Sequence, residues 1–166
     1  MMKNVLSGIL FLISLSVNAQ VANWYLSAQA GANNFQTQSL NGALLAGFQN
    51  EAGHQFAAGP VFKSYTADRN MTPMLGARVY SQMRINDTFN AYIQADISNG
   101  DKFSMINTNS PMRLETGMGL NVMLKENFGI GCGYTFGEFN PLTNQRSSSP
   151  TLKLIYSLSF GNNYGW

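Results

Sequence analysis

The side chains that could carry chemistry are few, and their spacing limits what they can do. The 166 residues hold one histidine, His54, just after the polar stretch Asn50-Glu51-Ala52-Gly53. Acyl transfer needs a histidine within reach of a serine and oriented by a carboxylate. The candidate serines do not comply: Ser81 falls on an apolar strand face, and Ser64 near the far end of its strand. No group of His, Cys, Asp and Glu has metal-ligand spacing. Cys132 is the single cysteine, so it forms no intrachain disulfide; on an apolar face it reads as a small hydrophobe. Gly129, Gly131 and Gly133 have strand spacing and do not form a phosphate-cradling loop. The chain is therefore expected to be no enzyme and to need no metal or cofactor. What remains is a set of charges, Lys63, Arg78, Arg84, Asp96, Arg113, Glu115 and Lys153, all on the side of their segments opposite the bulky apolar residues.

The elements that position these charges repeat with a period of two. Arg113 to Phe136 shows it best. Leu114, Met118, Leu120, Val122 and Leu124 alternate with small or polar residues, then Phe128, Ile130, Cys132, Tyr134 and Phe136 do the same after the turn Lys125-Glu126-Asn127. Alternation over such lengths is the strand signature, and the short turn makes the pair an antiparallel hairpin. Six further stretches share the pattern: Asn23–Gly31, Leu40–Gln49, Gln55–Tyr65, Met74–Ile85, Thr88–Ile97 and Thr151–Phe160. Gln55–Tyr65 is the irregular one, because Val61 falls on the wrong side and Pro60 lacks a ladder donor. In each, one face is bulky and apolar, while the other is largely glycine, amides and isolated charges. A narrow barrel with lipid outside and packed polar side chains inside needs this division. The expected fold is an all-β, antiparallel, up-and-down transmembrane barrel of eight strands.

Connection lengths alternate too. Those after strands two, four and six are short, whereas Ser98–Pro111 and Gly137–Pro150 are long and polar. Short turns at one rim and long loops at the other are the layout of an outer-membrane barrel. The outward residue nearest the short-turn rim is aromatic in six strands: Trp24, Phe48, Phe56, Phe89, Phe128 and Phe160. Such rings favour the headgroup level, so they are expected to form a periplasmic girdle. Residues 1–19 read as a secretory signal peptide, with Lys3, an apolar run from Val5 to Val17 and cleavage after Ala19. Residues 20–166 would form the barrel domain. Only 11% of residues are charged and the net charge is +2, so a nucleic-acid surface is not expected.

With this arrangement the chain resembles the small eight-stranded outer-membrane barrels of Gram-negative bacteria, the OmpA/OmpX type. The closing segment Leu152–Phe160 is similar to the terminal strand that the barrel-assembly machinery recognises in such proteins. The resemblance implies insertion among outer-membrane lipids, a monomer, and a structural role or contact with an extracellular partner through the long loops. Two other readings compete. A lipid-modifying enzyme of the outer membrane would need a catalytic group in the outer loops, where no histidine lies. A secreted soluble barrel binding a hydrophobic ligand would need its bulky face inward. Eight strands leave room for packed side chains but not for an aqueous channel. Lys63, Arg78, Asp96, Arg113, Glu115 and Lys153 are accordingly expected to form a paired structural plug in the extracellular half. Arg78 should lie opposite Asp96.

Overall fold

The computed structural model describes residues 21–33, 39–50, 52–65, 74–99, 112–140 and 145–160. The expected signal peptide, residues 1–19, lies outside them, as does most of the segment 98–111. Eight strands follow one another: β1 (Val21–Asn33), β2 (Ser39–Asn50), β3 (Gln55–Tyr65), β4 (Met74–Arg84), β5 (Phe89–Asn99), β6 (Met112–Lys125), β7 (Phe128–Asn140) and β8 (Gln145–Phe160). Each is antiparallel to its chain neighbours, and β8 returns to pair with β1, which closes the barrel. Closure leaves no long free edge, the only way a sheet can satisfy its own backbone throughout an apolar medium.

The stagger of the sheet can be read from its register. Starting at Asn23, the ladder passes through Gln49, Gln55, Gln82, Tyr92, Gly119, Gly133 and Thr151 and returns to β1 at Asn33. One circuit thus climbs ten residues. A shear somewhat larger than the strand number tilts the strands by about 40° and widens the interior just enough for side chains.

Facing follows the alternation. Trp24 and Leu44 are 65% and 67% exposed, whereas their neighbours Tyr25 and Leu45 are 1% and 2% exposed. Val61, the apparent irregularity of β3, is an inward residue that packs with Tyr25, Ala43, Leu45, Ala57, Tyr80 and Tyr92 in a small apolar layer inside the barrel. Narrow space explains the glycines opposite: a Cβ on Gly131 would stand 2.6 Å from Asn121 Oδ1 and 2.7 Å from Lys153 Cε. Large interior side chains on β6 and β8 therefore depend on a bare β7.

The structure corrects the expected loop Gly137–Pro150. β7 runs on to Asn140 and β8 starts at Gln145, so a ladder ending at Asn140 opposite Gln145 replaces most of that loop. Alternation breaks at Gly137, which hid the continuation. Gly137 has φ +75° and sits in a bulge, where Phe136 faces Ser148 and Glu138 faces Ser147. A glycine in the left-handed region is what such a bulge requires.

Candidate functional site

The turn Asn86-Asp87-Thr88 fixes the register of β4 against β5, and so sets Arg78 directly opposite Asp96. The guanidinium meets the carboxylate in a fork: Nε donates to Oδ1 at 2.8 Å and Nη2 to Oδ2 at 2.9 Å. Paired planar geometry of this kind is the strongest form of charge-assisted hydrogen bond. Arg78 also donates from Nη1 to Gln29 Oε1 at 2.9 Å. Lys63 of β3 lies 3.0 Å from Asp96 Oδ2 and donates to Glu115 of β6. The result is a chain of charges, Arg78–Asp96–Lys63–Glu115. β3 and β6 are not neighbours in the sheet, so the Lys63–Glu115 contact crosses the lumen. All four side chains are almost fully buried. Isolated charges would be strongly unfavourable there, whereas a paired and hydrogen-bonded set is tolerated.

Lys153 of β8 is held differently. Among the described residues no carboxylate pairs with it. Its Nζ stands 3.2 Å from the centroid of the Tyr92 ring and 4.7 Å from that of Tyr80, and it donates to Gln94 Oε1 at 3.2 Å. Stacked tyrosines, 5.8 Å apart, present two negative ring faces to one ammonium, a desolvated cation–π arrangement. Arg113 is buried near the long-loop end, with Nη1 3.9 Å from Met74 Sδ. Arg84 does not join the interior set: it is exposed at the turn end, where Asp87 pairs with it.

One interior charge escaped the sequence reading. Glu138 is buried and accepts hydrogen bonds from Ser39 Oγ, at 2.7 Å, and from Ser149. Strict alternation from Phe136 would turn Glu138 outward; the extra residue at Gly137 turns it inward. The available signal was the glycine itself, the small residue at which an alternating pattern changes phase.

His54 lies in the β2–β3 turn, where its backbone N–H donates to Asn50 Oδ1 at 2.8 Å. Below the charges, Asn121 donates to Tyr80 Oη and Gln82 Oε1, each at 2.6 Å. The arrangement braces opposite walls of the barrel against each other.

Outside, Trp24, Phe48, Phe56, Phe89, Phe128 and Phe160 all project from the turn-side ends of their strands. Trp24 lies opposite both Phe48 and Phe160, and Phe48 opposite Phe56, with those two rings stacked at 5.8 Å. Phe89 and Phe128 open β5 and β7.

No family model matches this chain, and no curated protein matches it. Solved structures do. A barrel from the de novo design of transmembrane β-barrels has a TM-score of 0.51 at 11% identity, covering 84% of this chain and 98% of its own. The N-terminal β-barrel domain of OprF from Pseudomonas aeruginosa has a TM-score of 0.56 at 14% identity, covering 84% of this chain and 100% of its own. Neisserial surface protein A (NspA) has a TM-score of 0.43 at 13% identity, covering 84% of this chain and 96% of its own. At such identities the likeness to the first two is one of fold: an eight-stranded antiparallel barrel of the outer-membrane type.

Proposed function

We propose that this chain is an integral outer-membrane barrel without catalytic activity, a closed wall element that meets partners through its long loops. One observation carries the reading, the inversion of burial. Leu26, Leu44, Val79, Met118, Leu120 and Leu154 stand exposed on the outer face, while Lys63, Arg78, Asp96 and Glu115 are enclosed. A continuous apolar belt of this extent is far larger than a monomer tolerates in water. Hydrocarbon reverses that preference. Outer-membrane lipid is then the first partner. The girdle of Trp24, Phe48, Phe56, Phe89, Phe128 and Phe160 marks its periplasmic boundary, and β8 is the strand offered to the barrel-assembly machinery. The soluble-carrier alternative is disfavoured because Tyr25, Tyr80, Tyr92 and the charge cage occupy the space a hydrophobic ligand would need. The lipid-modifying alternative is disfavoured because the lone histidine sits at the turn end, away from any serine–carboxylate pair.

Extraction tests the reading. The protein should stay with the membrane pellet through an alkaline carbonate wash and leave it only in detergent. Release with the periplasmic contents or in carbonate would overturn it. Orientation is tested separately. An epitope inserted near Asn107 or Asn144 should be reached by antibody on intact cells, and one at Glu126 only after permeabilisation. Labelling at Glu126 on intact cells would invert the topology while leaving membrane insertion standing.

A further inference from the structure

The turn-side end of the barrel opens into a cup of about 480 Å³. This is the size of a site for a small organic ligand, about 300–1,000 Å³. Carboxamides and hydroxyls from several strands form its wall, with Gln49, Gln55, Gln82, Asn90, Ser157 and Ser159 contributing. The charges at its rim cancel: Arg84 pairs with Asp87, and Lys125 adjoins Glu126. The cup therefore favours neither an anion nor a cation.

Its polar groups are not all satisfied by the protein. Asn90 is only 6% exposed, yet its carboxamide has no hydrogen-bond partner among the described residues. Gln82 is equally buried; its Oε1 accepts from Tyr80 and Asn121, while its amide nitrogen has no hydrogen-bond partner among the described residues. Gln55 donates to Gln49 Oε1 at 3.0 Å, which leaves the Gln55 oxygen and the Gln49 amide nitrogen to face the cup. Polar atoms that open onto a cavity in this way are completed by water or by a ligand.

We infer that this cup binds an uncharged oligosaccharide. Each carboxamide offers donors and an acceptor together, and sugar hydroxyls need that mixture. A peptide would bring charged or apolar side chains, for which the cup offers only a balanced rim and the short apolar stretch of Met123, Leu124 and Ile155. The inference goes beyond the proposed function, because the cup belongs to the barrel whichever compartment it faces.

The folded barrel in an amine-oxide detergent, which carries no sugar headgroup, is titrated with chitotriose, maltotriose and trialanine. Side-chain amide resonances are followed by NMR. At least one of the two sugars should bind one to one and shift the Gln82 and Asn90 resonances, and trialanine should not. Asn90→Ala should weaken the sugar about tenfold, the loss of one to two hydrogen bonds, with the gel mobility of the folded barrel unchanged. If Asn90→Ala does not fold, Gln49→Ala at the mouth of the cup serves the same purpose. Three results would each overturn the inference: no shift with either sugar at millimolar concentration, unchanged affinity in the folded variant, or trialanine binding as well as the sugars.

Discussion

Leu120→Arg should destabilise the folded barrel in lipid vesicles by about 2–4 kcal/mol, the cost of a cationic side chain near mid-membrane on a lipid face. Leu120 points outward from β6, between Ala91 of β5 and Cys132 of β7. Its chain neighbour supplies the contrast. Asn121 is 0% exposed and hydrogen-bonded to Tyr80 and Gln82. Asn121→Arg should overfill the interior, where Gly131 already makes room for Lys153, and should yield little closed barrel. Denaturant titration followed by tryptophan fluorescence reads both variants. Leu120→Arg at wild-type stability would show that the outer face of β6 does not meet hydrocarbon.

Asp96→Asn should cost about 3–5 kcal/mol, the usual penalty for breaking a buried ion pair from one side. Asp96 receives both Arg78 and Lys63. After the substitution Lys63 keeps Glu115, but Arg78 is left with the neutral oxygens of Gln29 and Asn41. The double variant Arg78→Gln/Asp96→Asn should recover much of the loss, because the stranded charge goes with its partner and the Lys63–Glu115 pair persists. Additive losses without rescue would remove the pairing as a source of stability. Planar-bilayer recordings supply the second readout. A braced lumen predicts no steady current from the wild type, and a sustained open level would remove the plug interpretation.

Much of this fold was legible in the sequence because lipid outside and a narrow lumen inside impose a sharper contrast than a half-buried soluble strand faces. Leu120 and Asn121 can be assigned to opposite faces from their side chains alone. The same contrast misled at two places. Val61 is apolar but inward, because one layer of the lumen is apolar, where it packs with Tyr25, Leu45, Ala57, Tyr80 and Tyr92. Glu138 is charged and inward only because Gly137 adds a residue to β7. Partners inside the lumen were harder to read. A three-residue turn sets Arg78 against Asp96, but Lys63 reaches Glu115 across the barrel, and Lys153 finds two tyrosines on β4 and β5. Contacts across the lumen depend on the ten-residue stagger, which no short stretch of sequence carries.

That stagger and the closing ladder also bear on the order of assembly. Seven ladders join strands that follow one another in the chain, so each can zip from its own connection. The ladder between β1 and β8 cannot. It brings together groups as far apart in sequence as Ser157 and Ser27, and its loop-closure entropy is the largest of the eight. Until Gln145–Phe160 has been synthesised and docked, the edges of β1 and β7 both stand open, and open edges recruit other strands. The nascent chain is therefore most vulnerable to aggregation just before its last strand arrives, and the slowest step of folding should be the meeting of its two ends.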